Sequence, residues 1–334
     1  MKVYELVARE GFDALSLAER PTPKVRAGEV KVRVRAVSLN YRDLVVAKGA
    51  KNRATPIVPA SDGAGEVIEV GEGVSTLAVG DRVAASFFPT WLDGPLSDAH
   101  HAAALGGGQD GMLAEEVVLP ASAWVRMPAH LSFEQGATLP CAGVTAHHAL
   151  FEAATVTPGD VVLLQGTGGV SVFALQLAKA AGARVVMTSS SAAKRDLARS
   201  LGADHVIDYR ADAKWGESAR AWAGGRGVDL VVDVGGPGTL DQSIAALRYG
   251  GTVSLLGVLT GTRGDVNTYG IFHKTLRVAG IYVGSVAMFE RFVRALDAAK
   301  IAPVVDRVFA FDEARAAYEH LASATHFGKV VIRV

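Results

Sequence analysis

A glycine turn near the middle of the chain has the composition of a phosphate-binding loop. Gly166, Gly168 and Gly169 follow the apolar run VVLLQ and precede a helical pattern, with Ser171 at the third fingerprint position. Glycine permits a tight turn and lets the backbone approach a pyrophosphate, whose charge is favoured at a helix N-terminus. The alternative is a tight turn without a ligand. The predicted cofactor contacts of this turn are Gly166, Thr167, Gly168, Gly169 and Val170.

Hydroxyl groups and a cation lie where a dinucleotide site selects its coenzyme. An NAD site usually has Asp or Glu about 20 residues after the glycines, but this chain has the hydroxyl run 188–191. Hydroxyls and a cation suit a 2′-phosphate, so we predict NADP(H) rather than NAD(H). Arg195 is expected to lie on a solvated helix face, which is also the alternative for Lys194. The predicted contacts here are Ser189, Ser190, Ser191, Lys194 and Tyr209.

Composition and charge exclude several other classes of protein. The 334 residues carry 34 basic and 34 acidic side chains, and this balance, with no basic cluster, argues against nucleic-acid binding. No apolar segment approaches 18 residues, so we expect no membrane span, and the charged start MKVYELVAREGF does not resemble a signal peptide. The single Cys141 excludes an internal disulfide. We expect a cytoplasmic enzyme of about two domains.

The sequence changes its pattern at about residue 131. Before it, short strands such as EVKVRVRAVSL (Glu29–Leu39) alternate with turns, and the glycine-rich segment Pro89–Gly111 is expected to be a long surface loop. After it, apolar runs alternate with helical patterns, which predicts a parallel sheet buried on both faces in a doubly wound dinucleotide fold. The closing runs 304–311 and 328–334 are expected to return to the first domain. The six apolar runs are 161–165, 184–189, 205–209, 228–234, 252–258 and 276–283.

Sequence blocks along the whole chain resemble the medium-chain dehydrogenase/reductase superfamily. The resemblance implies an α/β protein with a GroES-like substrate domain over 1–142 and 284–334. It also implies a Rossmann domain with a six-stranded parallel sheet over 143–283. The blocks are NYRDL (Asn40–Leu44), SDGAGEVIEVGEGV (Ser61–Val74), GDRV (Gly80–Val83), LPCAGVTAHHAL (Leu139–Leu150), QGTGGVSVFALQLAKAAGARV (Gln165–Val185) and HFGKVVIRV (His326–Val334).

The resemblance extends to the zinc-independent, quinone oxidoreductase-like branch rather than to zinc enzymes. Zinc-dependent alcohol dehydrogenases of the superfamily bind catalytic zinc through Cys, His and Cys, and the matching positions here are Asn40, Ser61 and Cys141. An amide and a hydroxyl are poor Zn²⁺ ligands, and Pro89–Gly111 has no cysteine for a structural zinc. We therefore predict no metal, with a site retained by Asp62 and Cys141 as the alternative.

The resemblance implies reduction of a quinone or an α,β-unsaturated carbonyl by NADPH. Negative charge then develops on the carbonyl oxygen and must be met by hydrogen-bond donors. Asn40 is predicted to orient the carbonyl, Tyr41 or solvent to donate a proton, and Thr145 to face the nicotinamide. The alternative is that NYRD only caps and pins its loop, with Asp43 bound to backbone amides. Asp208 and Asp233 are expected to have turn or cap roles.

Later parts of the chain add cofactor contacts and an interface. The edge run 276–283 predicts a homodimer formed by strand pairing. Two other functions stay open: an NAD(P)-dependent alcohol or aldehyde dehydrogenase of the zinc type, and an NADPH-binding protein with little turnover. The further predicted cofactor contacts are Gly235, Gly257, Val258, Leu259, Tyr282, Val283, Phe327, Gly328 and Lys329.

Overall fold

The computed structural model describes residues 1–334, which divide into two compact units. The first unit comprises Met1–Val144 and Val283–Val334, and the second comprises Thr145–Tyr282. The strands are β1 (Lys2–Leu6), β2 (Leu15–Glu19), β3 (Glu29–Leu39), β4 (Asp62–Val70), β5 (Arg82–Ala85), β6 (Glu116–Pro120), β7 (Trp124–Arg126), β8 (Val161–Gln165), β9 (Arg184–Thr188), β10 (His205–Ile207), β11 (Val228–Asp233), β12 (Leu247–Leu255), β13 (Arg277–Gly280), β14 (Val305–Ala310) and β15 (Lys329–Arg333).

Eleven α-helices accompany the strands, and none is long and apolar enough to cross a bilayer. They are α1 (Tyr41–Lys48), α2 (Asp98–Ala102), α3 (Phe133–Gly136), α4 (Val144–His147), α5 (Gly169–Ala180), α6 (Ala192–Ser200), α7 (Trp215–Trp222), α8 (Pro237–Ala246), α9 (Thr268–His273), α10 (Val286–Ala298) and α11 (Ala314–Ala322). Short 3₁₀ turns are Gly11–Ala14, Ala50–Asn52, Ala121–Ala123 and Phe311–Glu313, and π-helical turns are Leu139–Gly143 and His148–Glu152.

The first unit is built on a seven-stranded sheet with β3 at its centre. The sheet runs β14-β15-β3-β4-β5-β7, and β6 pairs with β3 as well. The predicted bounds of β3 are confirmed, and β15 pairs with it antiparallel, which confirms that the closing strands return to this unit. The alternating pattern predicted a half-buried strand. The structure instead buries residues on both faces of β3, including Lys31 and Ser38, because other parts of the unit pack on each face of the sheet.

The segment Pro89–Gly111 is a loop with only the short α2 inside it, but it is not simply a surface loop. Trp91 and Leu105 are buried in it. Arg42 donates to the Leu105 carbonyl at 2.7 Å, and Arg53 donates to the Gly107 carbonyl at 2.7 Å. Two cationic side chains therefore hold the end of this loop against the unit, which its weak sequence pattern did not indicate.

The second unit contains the predicted six-stranded sheet, and every neighbouring pair of strands is parallel. The order is β10-β9-β8-β11-β12-β13, so the chain order of the six strands is 3-2-1-4-5-6, as in a Rossmann fold. β8 is buried at every position. The order reverses between β8 and β11, and the carboxyl ends of the strands at this switch point are where such sheets bind ligands.

Candidate active site

The glycine turn after β8 opens a helix onto free space. Gly166 has φ = +69°, and Gly168 precedes the twelve-residue helix α5, which no side chain caps. A Cβ placed on either glycine would meet no atom within 4 Å. The hydroxyl of Ser171 is buried and donates to the Gln165 carbonyl at 2.6 Å, so the serine ties the helix to the strand. Uncapped N–H groups facing open space are what a pyrophosphate requires.

The predicted hydroxyls meet where β9 and β10 end. Ser189 is buried, the Ser191 hydroxyl accepts from the Lys194 N–H at 3.4 Å at the start of α6, and the Tyr209 hydroxyl donates to Ser190 at 3.3 Å. No carboxylate occurs between the end of β9 and Arg195. The arrangement brings three hydroxyls to the N-terminus of a nine-residue helix, where an anion is favoured.

Arg195 does not lie free on a solvated helix face, and that expectation is wrong. One of its guanidinium nitrogens donates to the Ser189 carbonyl at 2.9 Å and to the Asp208 carboxylate at 2.8 Å. Asp208 also accepts from two backbone N–H groups, and these bonds lower its pKa. The turn role expected for Asp208 is confirmed. Arg195 therefore links the serine run to Asp208 and offsets the charge of that carboxylate.

Hydrogen bonds join the loops that follow β11 and β12 at the carboxyl edge of the sheet. Thr260 donates its N–H at 2.9 Å and its hydroxyl at 2.8 Å to the Gly235 carbonyl. A Cβ on Gly257 would lie 1.9 Å from the Val234 carbonyl oxygen, so only glycine fits there. Val258 and Leu259 follow this glycine and are about half exposed. The structure thus brings the predicted contacts of these two loops together.

Two buried polar residues that hold this edge are the strand-end groups Asp233 and Gln165. Asp233 is fully buried and accepts from two backbone N–H groups and from the hydroxyls of Thr239 and Ser243, which confirms its cap role. Gln165 accepts from Val234 N–H and Gly235 N–H at 3.3 Å each. The sequence analysis missed Gln165, and its signal was a polar residue closing an apolar strand.

Tyr282 and Val283 have contrasting environments. Tyr282 is 45% exposed, whereas Val283 is buried. Val283 has φ = +53°, a left-handed conformation that is a genuine outlier for a β-branched residue and costs on the order of 1–3 kcal/mol. Strain of this kind concentrates at ligand-binding positions, and Val283 is one of the predicted cofactor contacts.

In the first unit, the residues that match zinc ligands form a connected hydrogen-bond network. Asn40 Nδ2 donates to the Ser61 hydroxyl at 3.4 Å, and that hydroxyl donates to Asp62 Oδ1 at 2.7 Å. Asp62 Oδ2 accepts from the Cys141 N–H at 3.1 Å. Ala60, just before this segment, has φ = +68°, another strained position. The network is almost wholly buried.

This donor set does not fit a Zn²⁺ ion. Zn²⁺ prefers thiolate and imidazole ligands, whereas Asn40 and Ser61 offer an amide and a hydroxyl. Burial, and then the nearby Asp62, raises the pKa of the Cys141 thiol well above its usual range, so the thiolate form is disfavoured. Asp62 directs its oxygens to Ser61 and to a backbone N–H. No group of three or more His, Cys, Asp or Glu side chains has an arrangement that could hold a metal.

The NYRD motif caps its helix, as the structural alternative predicted. The Asn40 N–H donates to Asp43 Oδ2 at 2.8 Å at the start of α1. Asn40 is buried at the same time, and its side chain belongs to the network described above. Capping therefore accounts for Asp43 and leaves the Asn40 amide for another role.

The other two predicted catalytic residues differ in exposure. Tyr41 is 50% exposed, so its ring lies on the surface of α1. Thr145 is buried, with 5% of its surface accessible. Within the first unit, the Asn40 side chain bonds to Ser61 and Lys329 and not to Tyr41.

The closing segment brings a lysine to the Asn40 network. Phe327 is buried, and Gly328 has φ = +81°. The Lys329 ammonium is buried too, and it donates to the Leu39 carbonyl at 2.6 Å and to Asn40 Oδ1 at 2.5 Å. Its ammonium thus lies in the Asn40 network, and its contact with the cofactor stays a prediction. Sequence reasoning missed this pairing because 289 residues separate the two side chains.

Comparisons with known proteins agree on the family of this chain. One family profile, described as an alcohol dehydrogenase GroES-like domain, matches residues 26–129, and another, described as a zinc-binding dehydrogenase, matches residues 169–299. A zinc-type alcohol dehydrogenase-like protein of Schizosaccharomyces pombe is 46% identical over 97% of this chain and 96% of its own length. An acryloyl-coenzyme A reductase of Metallosphaera sedula is 30% identical over 97% of both chains.

Solved structures give the same result over the whole length. A putative alcohol dehydrogenase from Sinorhizobium meliloti 1021 has a TM-score of 0.93 at 42% identity and covers 100% of this chain and 98% of its own. An NAD-dependent alcohol dehydrogenase has a TM-score of 0.91 at 33% identity and covers 100% of both chains. A quinone oxidoreductase from Coxiella burnetii has a TM-score of 0.81 at 29% identity and covers 100% of this chain and 99% of its own.

The buried Asp43 carboxyl makes stability depend on pH. Burial raises its pKa to about 6, and the nearby Asp62 adds to this. Because the folded pKa exceeds the unfolded value, this group stabilises the fold below about pH 4 and loses that contribution as pH rises through 6. Between pH 4 and 7 this group should lower the free energy of unfolding of the wild type by on the order of 1–3 kcal/mol. We expect Asp43→Asn to lack this decrease, as measured by urea unfolding at several pH values. The control is Asp196→Asn, an exposed carboxyl. An unchanged pH slope in Asp43→Asn would contradict the prediction.

Proposed function

The chain belongs to the medium-chain dehydrogenase/reductase superfamily, and from that membership we propose that it is a zinc-independent, NADP(H)-dependent oxidoreductase. Its proposed substrate is a small molecule that carries a quinone or an α,β-unsaturated carbonyl. The observation that carries the proposal is the Asn40 amide, which stands at a zinc-ligand position as a buried, oriented hydrogen-bond donor. The quinone oxidoreductase and acryloyl-coenzyme A reductase relatives support this substrate class.

The residues of the first unit supply electrostatic stabilisation without a metal in this proposal. When bound, the reduced nicotinamide supplies a hydride, which leaves negative charge on the substrate oxygen. Asn40 Nδ2 donates a hydrogen bond to that oxygen in place of a Lewis acid. Tyr41 is half exposed, so either its phenol or solvent supplies the proton that completes the reduction. Burial of Asn40 strengthens its donor role, because water competes less in a low dielectric.

The choice of NADP(H) rests on the hydroxyls after β9 and on the absence of an acid among them. Ser190, Ser191 and Tyr209 provide hydroxyls for a 2′-phosphate, and Lys194 provides the positive charge. The Asp208 carboxylate accepts hydrogen bonds from Arg195 and from backbone N–H groups. One structural relative is described as NAD-dependent, so the coenzyme choice depends on these residues rather than on family membership.

A zinc-type alcohol or aldehyde dehydrogenase is the second candidate function. The name of the Schizosaccharomyces pombe relative and the zinc-binding dehydrogenase profile favour it. The amide, hydroxyl and buried thiol at the ligand positions oppose it. A third possibility, an NADPH-binding protein with little turnover, differs from both in the outcome of the assay below.

A homodimer is proposed on the features of the free edge of the second unit's sheet. β13 is the last strand of this sheet and is largely exposed. Beside it in the chain, α9 exposes Tyr269 and Phe272, which pack edge to face with centroids 5.2 Å apart. An exposed strand edge next to exposed aromatic rings fits pairing with a second copy.

Turnover tests the proposed function. We expect purified protein to oxidise NADPH with quinones or enones, and to do so without stoichiometric zinc, as followed by absorbance and metal analysis of one sample. Asn40→Ala is expected to lower kcat by roughly 100-fold, the cost of removing one oxyanion donor. Ser200→Ala, on the exposed end of α6, is the control. Stoichiometric zinc with alcohol oxidation, or tight NADPH binding without turnover, would overturn the proposal.

Coenzyme preference tests the serine patch. Ser190→Asp places a carboxylate where the 2′-phosphate is proposed to bind, so repulsion should lower kcat/KM for NADPH relative to NADH by roughly tenfold or more, about 1.4 kcal/mol. Ser200→Asp adds the same charge at the far end of α6 and should leave the ratio unchanged. A wild-type protein that prefers NADH would refute the NADP(H) assignment.

Sedimentation tests the dimer. Phe272 is 68% exposed, and Phe272→Glu is expected to shift the protein from dimer to monomer because a charge would be buried at the interface. Val79→Glu, at a position 64% exposed in the first unit, is the matched control and should stay dimeric. A wild-type mass near 34.8 kDa would show a monomer and end the dimer proposal.

A further inference from the structure

Lys329 is a buried cation whose two resolved hydrogen bonds both reach the start of the NYRD segment. Its side chain is 4% exposed, at the first position of β15. The ammonium donates to the Leu39 carbonyl at 2.6 Å and to Asn40 Oδ1 at 2.5 Å. A buried ammonium is costly unless it is paired and hydrogen-bonded. Packing alone therefore does not explain why the Lys329 ammonium is buried.

The ammonium allows only one orientation of the Asn40 amide. An ammonium has donors and no acceptor, so the amide must turn its oxygen to Lys329 and its nitrogen away. The nitrogen then donates to the Ser61 hydroxyl, and that hydroxyl donates a hydrogen bond to Asp62. A flipped amide would set two donors against each other in a buried site. The lysine thus fixes the donor-to-acceptor direction of the series of hydrogen bonds that runs from Lys329 through Asn40 and Ser61 to Asp62.

The same ammonium supplies positive charge to a region that holds two buried carboxyls. Burial raises the pKa of Asp62, and the charge of Lys329 opposes that rise. Lys329 acts in the same direction on Asp43. An amide whose oxygen is bound to a cation is a stronger donor at its nitrogen, because hydrogen bonds in series polarise one another.

We infer that Lys329 is a positioning residue for carbonyl reduction: it locks the Asn40 amide with Nδ2 as the donor and polarises it. This inference rests on the proposed function. Two N–H groups belong to that nitrogen: Ser61 accepts from it, and Asn40 also serves Asp62 as a hydrogen-bond donor, so a substrate oxygen takes its bond by sharing or displacing the contact with Asp62. In this proposal Lys329 acts through Asn40 rather than directly on the substrate. The competing role is a structural one, in which the lysine only joins β15 to the end of β3.

A double-mutant cycle separates these roles. The variants are Asn40→Ala, Lys329→Met and the pair together, assayed for kcat, KM and the Kd of NADPH by protein fluorescence. We expect Lys329→Met to lower kcat by roughly 10- to 100-fold, in the range that misplacing a catalytic group costs. The Kd of NADPH should change less than about twofold. The double variant should be no slower than Asn40→Ala, since Lys329 acts through that amide.

Lys274→Met is the matched control for the loss of a half-buried lysine. Lys274 donates to the carbonyls of Ile244, Ala245 and Leu247 in the second unit, so its loss should lower the Tm and leave kcat unchanged. If Lys329→Met does not fold, Asp62→Asn/Lys329→Met removes both charges together, and it is compared with Asp62→Asn by the same criteria.

Each outcome decides the inference. Non-additive kcat losses with intact coenzyme affinity support it. Additive losses, an unchanged kcat in Lys329→Met, or a weakened Kd for NADPH with kcat intact overturn it while the proposed function stands. Wild-type protein without turnover overturns the proposed function and this inference with it.

Discussion

The buried contact between Lys329 and Asn40 is the interaction on which the candidate chemistry of the first unit depends. Two carboxyls, a thiol and one ammonium are buried in this region, and charge taken out of water must be paired or neutralised. The charges of Arg42 and Lys329 oppose the effect of burial on Asp43 without cancelling it. Asp43 therefore carries a pKa of about 6, with one oxygen lacking a partner. Directed hydrogen bonds join the side chains of this site in the structure.

The two units use different groups for electrostatic interactions: backbone groups in the second unit and side chains in the first. The second unit uses backbone: an uncapped helix N-terminus after a glycine turn, and loops held by Asp233 and Gln165 at the carboxyl edge of a parallel sheet. Such fixed dipoles suit a phosphate because they need no titratable group. The first unit uses side chains in series, whose orientation depends on each neighbour. Backbone sites tolerate sequence variation, whereas a side-chain network changes its chemistry with a single substitution.

The sequence predicted the bounds of strands well where apolar residues alternate regularly or form a continuous run. β3 and β8 begin and end where the sequence indicated, since alternation or a continuous apolar run marks them. The ends of β12 and β13 were predicted three residues too far, because the apolar pattern continues past Leu255 and past Gly280 into loops. Arg195 and the segment Pro89–Gly111 were misjudged, since their partners lie far along the chain or in backbone carbonyls.

The sequence by itself determined the family, the two-part architecture, the glycine turn and the hydroxyls beside it, because each is a contiguous pattern with a local physical meaning. It also showed which zinc-ligand positions lack their usual residues. Only the tertiary structure decided what replaces the missing ligands: it brings Lys329 to Asn40 across 289 positions and turns Asp62 toward Ser61. Such pairings depend on which strands lie side by side, and the antiparallel register of β15 against β3 is set by packing rather than by any local pattern.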